Sequence, residues 1–515
     1  MVTPGMALLG TPLALLLLLV PPNIDAMILS SMPRRLPHLG LQRLTGTSTS
    51  FVTYQPHQRR RQSSAVVARN ANAASSATSP LSSSSEWTTI DWLGDTNNNE
   101  DGHRSSNELD KNQGERTYDV ATFSDLLPTN SPQQPSPVER LLIRDRLVYM
   151  KRDDLLRLSK SNVSGNKARK FLSLNELASI SFPDVVVSYG GPQSNAMLAL
   201  AAIVNSKNVN DDVDSASSSN AQMIAAKKRF VYYTKKLPRY LRQQPSGNFL
   251  RAKSLGMELV ELPPWRYDEL FGGESGGSAT PPAQLEPPAS AVDGDKAQVD
   301  DNDSTLSCLF VPQGGASGVA SRGARLQAQE IVEFWHRNGK DLPLAVCLPG
   351  GTCTTALLLH RELNNILNSR RQNHEQPLDI QVVVIPCVGG DEYAQRQMSS
   401  LDVAVGGDGK DLPAILKPTE TNRYYRFGNP DLDIIETYKE LKEEYGILFD
   451  LLYGAPAWTI LLRHWSDKTA QNSHNSKSPI AGRQIMYVHS GGLEGISSQL
   501  TRYKHKGLVD PKSIQ

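Results

Sequence analysis

Two lysines, Lys167 and Lys170, stand about one helical turn apart in Ser164-Gly165-Asn166-Lys167-Ala168-Arg169-Lys170, ahead of Phe171, Leu172, Leu174, Leu177 and Ala178 at near-helical spacing. The spacing predicts a helix beginning here, with Ser164 and Asn166 as candidate caps. The first turn of a helix carries roughly half a positive charge and favours Asp or Glu, so ammonium groups placed there require an anion. A phosphorylated aldehyde meets both needs: an electrophile for one amine, and a phosphate for the other cation and the unpaired backbone N–H groups. Solvated surface charge is the commoner meaning of an isolated basic heptapeptide. A Walker-type loop is ruled out, because Asn166 separates Gly165 from Lys167.

Other stretches could complete such a site. Val185-Val186-Val187 stops at Tyr189-Gly190-Gly191-Pro192-Gln193-Ser194-Asn195, followed by a helical run from Ala196 to Val204. This strand, glycine turn and helix would aim backbone N–H groups, Ser194 and Asn195 at a carboxylate, although Ser-Asn also makes a plain N-cap. Leu344 to Leu348 leads into Gly350-Gly351-Thr352-Cys353-Thr354-Thr355, the best phosphate cradle in the chain, with a tight threonine-capped turn as its plainer reading. Tyr453 precedes Gly454-Ala455-Pro456, and a strand over residues 484–488 ends at His489-Ser490-Gly491-Gly492; His489 is read as structural. The cysteines Cys308, Cys347, Cys353 and Cys387 lack metal-ligand spacing and are expected to be reduced, buried small hydrophobes. No metal site is expected.

These turns need elements to hold them. Short apolar strands followed by helices recur along the chain, which argues for parallel sheets with helices on their faces. The 515 residues are not all core: residues 1–85 hold seven arginines, no lysine and the single acid Asp25, so the formal net charge of +1 hides a basic leader and a mildly acidic remainder with no nucleic-acid-binding character. The run Leu13 to Val20 is long enough for a signal-like segment and too short to span a bilayer, so no stable membrane anchor is expected. With the Arg- and Ser-rich sequence after it, a two-part address is expected, the secretory route followed by a mitochondrion or plastid. Residues 86–130 read as a linker, 131–180 and 306–515 as a larger domain, 181–270 as a smaller one, and 205–220 and 271–305 as surface insertions.

Taken together, Lys151-Arg152-Asp153-Asp154, Gly165-Asn166-Lys167-Ala168-Arg169-Lys170, Gly190-Gly191-Pro192-Gln193-Ser194-Asn195 and His489-Ser490-Gly491-Gly492 resemble the D-cysteine desulfhydrase and 1-aminocyclopropane-1-carboxylate deaminase family. The resemblance runs from about Pro135 to Trp265 and from Cys308 to Gly495. It implies a pyridoxal 5'-phosphate enzyme of fold type II, like the tryptophan synthase β chain: α/β, with two domains, each a mostly parallel sheet flanked by helices, and the cofactor in the cleft between them. By position, Lys167 resembles the Schiff-base lysine, and Lys170 with Gly350, Gly351, Thr352, Cys353 and Thr354 the phosphate site, beside Asn166. Asn195 looks like the partner of the cofactor's phenolic oxygen, Ser194 the residue near the substrate carboxylate and α-carbon, Tyr453 the active-site tyrosine and Ser490 the hydroxyl facing the pyridine nitrogen.

The implied activity is β-elimination from a small amino acid, with D-cysteine giving pyruvate, hydrogen sulfide and ammonia, and a homodimer is the expected assembly. For Lys167 to shuttle a proton near pH 7, its pKa must fall by about three from ~10.4, roughly 4 kcal/mol, with the helix terminus, Lys170 and Arg169 expected to push it down. Two departures from the family bear on the substrate. Gly454 and Ala455-Pro456 follow Tyr453 where the deaminases carry an acid and the desulfhydrases a threonine and lysine nearby, and Ser164 replaces a glycine. Ring-opening deamination, elimination from D-serine, and a pyridoxal-phosphate-binding protein with little turnover are the alternatives.

Overall fold

The computed structural model describes residues 85–87, 135–215, 227–272, 281–286, 288, 306–339, 342–419, 423–466 and 478–510. All lie in one unit, Ser79–Gln515. In chain order the strands are β1 (Ser85–Trp87), β2 (Val138–Ile143), β3 (Arg146–Lys151), β4 (Val185–Tyr189), β5 (Arg229–Lys235), β6 (Met257–Leu262), β7 (Leu306–Val311), β8 (Leu344–Gly350), β9 (Ile380–Pro386), β10 (Ala414–Ile415) and β11 (Gln484–Val488). The helices are α1 (Gly165–Lys170), α2 (Leu172–Glu176), α3 (Asn195–Ser215), α4 (Arg239–Gln243), α5 (Gly247–Ser254), α6 (Pro264–Phe271), α7 (Ser321–Asn338), α8 (Thr354–Gln372), α9 (Gly390–Ala404), α10 (Leu432–Glu443), α11 (Gly454–Ser466) and α12 (Ile496–His505).

The strands form the two helix-flanked sheets expected of the α/β class. One has the order β1-β7-β4-β5-β6 and is parallel throughout; the other, β10-β9-β8-β11-β3-β2, is parallel except for the β2–β3 hairpin. Every residue of β4 is buried, as a strand covered on both faces requires, and this is why Val185-Val186-Val187 reads as an unbroken apolar run. In the larger sheet Val346, Val383 and Met486 are fully buried, with the side chains of α7 and α8 over one face and those of α10 and α11 over the other.

Pairing corrects several expected boundaries. Leu306–Val311 belongs to the five-stranded sheet, where Val185 pairs with Cys308, rather than to the larger domain. Ser85–Trp87, at the junction of the expected leader and linker, extends that sheet by pairing with Leu306 to Cys308, and Trp87 packs edge-on against Phe310. Residues 205–215 continue α3 instead of starting an insertion. Lys207 anchors that continuation, buried and donating to the carbonyls of Asn175 and Leu177. From the second expected insertion, Leu285 packs in the core beside Phe271. The rest of the expected leader and linker, including Leu13 to Val20, lies outside the described residues, as do residues 216–220 and most of 271–305. No described helix is long and apolar enough to cross a membrane.

The Lys151-Arg152-Asp153-Asp154 motif is structural. Lys151 is fully buried, and its ammonium group donates to Glu330 and to Ser136 Oγ at 2.6 Å. Arg169, on the opposite side of α1 from the cleft, bonds both Glu330 oxygens at 2.7 and 2.6 Å and Asp153 at 3.0 Å. Burial alone would raise the Asp153 pKa, but Arg169 and Lys151 outweigh it and hold the carboxyl below its usual range. Glu330 comes from α7, which can lie against α1 because Gly323 has no side chain: a Cβ there would sit 2.0 Å from the Arg169 carbonyl oxygen. Replacing Arg169→Met leaves the buried Asp153 and the partly buried Glu330 short of a cation. It is expected to lower the unfolding free energy by about 3 kcal/mol, measured by urea denaturation; an unchanged midpoint would mean the network does not hold α1.

Candidate active site

The C-terminal ends of strands from both sheets open on one cavity of about 790 Å³. Turns following β4, β7, β8 and β11 line it together with α1, which is where parallel α/β sheets place their ligands. Of the residues singled out in the sequence, Asn166, Lys167, Lys170, Ser194, Asn195, Gly351, Thr352, Cys353, Thr354, Tyr453 and Ser490 all line this cavity. Gly350 does not. It ends β8, where a Cβ would fall 2.6 Å from Val384 Cγ2, so its part is to let the strand pack as the turn begins.

The lysine helix differs from expectation at its start. Ser164 and Asn166 make no side-chain cap. The Ser164 hydroxyl instead donates to Glu494, and Asn166 accepts from Thr355 Oγ1 at 2.9 Å. The chain enters α1 through Gly165 at φ +62°, where a Cβ would meet the Ser490 carbonyl oxygen at 2.6 Å. That carbonyl accepts the Asn166 N–H at 2.8 Å, so backbone bonds tie the lysine helix to the turn after β11. The helix also breaks at Phe171 and resumes as α2.

Burial brings the Lys167 ammonium down to about 8, against the opposing pull of Asp450 and Glu494. This corrects the expected cause: the fall comes from burial rather than from Lys170 or from Arg169, which points into its own carboxylate network. Lys170 falls well below its ordinary value, chiefly through burial and secondarily through Lys167. Its Nζ donates to the Gly314 carbonyl at 3.0 Å, and no carboxylate pairs with it among the described residues. Beside it stand Gly351, the coupled hydroxyls of Thr352 and Thr354 at 2.8 Å, and the N-terminus of the 19-residue helix α8. A buried lysine amine that an anion would recharge, two hydroxyls and a helix N-terminus make a donor set that a phosphate dianion satisfies.

Cys353 takes the left-handed conformation (φ 53°) that turns the chain into α8. Burial pushes its thiol up to about 12 despite Lys170, so it stays protonated and is no nucleophile. All four cysteines are free and buried, as expected. Tyr453 faces Gly351, where a Cβ would meet its ring at 2.8 Å. Burial raises the Tyr453 hydroxyl pKa, with Asp450 adding to the effect, so it remains a proton donor at neutral pH. The Ser194 hydroxyl accepts from the N–H groups of Ala196 and Met197 at 3.2 and 3.3 Å, the plain cap reading, while still lining the cavity. His489 is structural. Its Nδ1 accepts the Gly491 N–H, which leaves the proton on Nε2 to reach the Leu448 carbonyl at 2.9 Å.

Sequence reasoning passed over Asp450 and Glu494. Asp450 is buried and accepts the N–H groups of Leu452, Tyr453 and Gly454, fixing the turn that carries Tyr453. An Asp four residues before the helix start, able to accept N–H groups two and three residues on, is a turn signature that could have revealed it. Glu494 left no such signal, because only folding brings it to Ser164, 330 positions earlier in the chain.

No protein-family model matches the chain, and no curated protein matches it. Solved structures of similar shape include an ACC deaminase homologue at 17% identity, covering 75% of this chain and 95% of that one with a TM-score of 0.46. A threonine deaminase from T.th. is 12% identical over 70% of this chain and 92% of that one, TM-score 0.38. A hydrogen sulfide-producing enzyme from Fusobacterium nucleatum is 12% identical over 73% and 99%, TM-score 0.37.

Proposed function

We propose that the chain is a pyridoxal 5'-phosphate-dependent lyase that eliminates the β-substituent of a small amino acid, with D-cysteine as the substrate: D-cysteine and water give pyruvate, hydrogen sulfide and ammonia. The observation that carries this reading is a lysine amine with a pKa of about 8 sharing one cavity with a second, anion-less buried lysine and a glycine–threonine turn at a helix N-terminus. Lys167 would hold the aldehyde, Lys170 with the Gly351 to Thr354 turn the phosphate, Asn195 the ring oxygen and Ser490 the pyridine nitrogen. When bound, the cofactor supplies an electrophilic carbon and a conjugated ring that takes up negative charge from the α-carbon.

The chain's own groups do the rest. With a pKa of about 8, roughly a tenth of the Lys167 amine is neutral at pH 7, against well under a thousandth at the ordinary value. It can therefore take and return a proton near neutrality. Tyr453, kept protonated by burial, can give a proton to a departing thiolate. Gly454 argues against ring opening by an acid after the tyrosine: a Cβ there would lie 2.8 Å from Phe449, and its N–H is already bonded to Asp450.

Purified protein supplied with pyridoxal phosphate is expected to show a visible absorbance band that Lys167→Ala abolishes, and Lys170→Ala is expected to weaken cofactor binding about tenfold or more. A colourless wild type would refute the reading. Product analysis across D-cysteine, 1-aminocyclopropane-1-carboxylate and D-serine should give sulfide and pyruvate from the first. Production of α-ketobutyrate from the second would favour ring opening, and a coloured protein inert to all three a binding role. Where Lys167 is the base, the rate should climb as pH passes through about 8 and level off above it, because the neutral form is the active one.

A further inference from the structure

We infer that Asn248 is a positioning residue that holds the Asn195 carboxamide with its NH2 group turned toward the cavity. Asn248 is the second residue of α5 and is 1% exposed. Its Nδ2 donates both to the Gln193 carbonyl at 3.2 Å and to Asn195 Oδ1 at 2.6 Å. Its backbone N–H donates to Gln193 Oε1 at 2.9 Å, and Gln193 Nε2 donates to the Ser246 carbonyl at 3.0 Å. A carboxamide can be turned end for end, but the backbone groups in this set cannot change polarity. The Asn248 N–H requires an oxygen of Gln193 and the Ser246 carbonyl requires its nitrogen, so the Gln193 amide has one permitted orientation. The Gln193 carbonyl requires the nitrogen of Asn248. That same nitrogen meets Asn195, so the atom it meets must be the oxygen.

The Asn195 NH2 group is thereby left on the far side, 3.0 Å from the position a Cβ would take at Gly492 on the cavity wall. Asn248 holds this arrangement at a cost. Its own Oδ1 is buried without a partner among the described residues, a desolvation penalty that an apolar side chain at 248 would avoid. Its place is explained by the polarity it imposes on Asn195. The cavity occupant is taken here, as in the proposed function, to be pyridoxal phosphate, and Asn195 offers it a donor that stabilises the proton-free form of a ring oxygen.

Asn248→Asp keeps the shape of the side chain and puts an oxygen where both Gln193 and Asn195 need a donor. The expected result is at least a tenfold rise in the Kd for pyridoxal phosphate and an upward move in the pH midpoint of the bound cofactor's visible absorbance. Asn195→Ala should show the same two changes, and the double variant should be no worse than Asn195→Ala alone. An unmoved midpoint in Asn248→Asp, or fully additive losses in the double variant, would overturn the inference. If the wild type binds no pyridoxal phosphate, the functional reading fails separately. The inference is then read on the apo protein from the Asn195 side-chain NH2 signals, assigned by their disappearance from the nitrogen-15 spectrum of Asn195→Ala. They should shift in Asn248→Asp, and unmoved signals would sink it.

Discussion

Arg169 and Lys167 leave one six-residue helix in opposite directions, and the guanidinium decides where the amine can be. Six residues cannot hold a helix on their own in water. This one is fixed because Arg169 is clamped between Asp153 after β3 and Glu330 on α7, with Lys151 and Ser136 completing the cluster. The network is closed and buried, so its charges are compensated where they lie. The cost of removing them from water is met by mutual pairing and short hydrogen bonds. On the other face of the helix the opposite condition holds.

There, two ammonium groups are buried without that compensation. Lys167 has only the more distant pull of Asp450 and Glu494, and Lys170 has a single carbonyl. Desolvation therefore outweighs the opposing pull of Cys353 on Lys170 and of Asp450 and Glu494 on Lys167, pushing both amines toward the neutral form. The contrast across a single helix, paired charge on one side and unpaired on the other, separates the part of the structure that gives stability from the part that is prepared for a ligand. The glycine–threonine turn adds to this polarity, since the first turn of α8 carries no acidic side chain.

The remaining walls are held by hydrogen bonds in which at least one partner is a backbone group. Asn166 bonds the Ser490 carbonyl, three N–H groups converge on Asp450 to set Tyr453, and the Gly190 to Asn195 turn is latched to α5 through Gln193 and Asn248. Such bonds fix polarity as well as position, because a carbonyl can only accept and an N–H can only donate. The cavity accordingly presents a defined set of donors.

The sequence by itself determined the strand-turn-helix order, the α/β class and eleven of the residues that line the cavity. Those features are local: an apolar β-branched run, glycines at a turn and a helix behind them are neighbours in the chain, and parallel sheets gather such turns along the same strand ends. Tertiary structure alone decided the rest. That Leu306–Val311 joins the smaller sheet, that Ser85–Trp87 extends it, and that Glu494 reaches Ser164 depend on pairings between distant segments, which no local pattern encodes. The same holds for the fate of the charges. Lys151, Lys167, Arg169 and Lys170 are alike as cations in the sequence, and only burial and the carboxylates that folding brings near made two of them structural and left two of them poised to ionise.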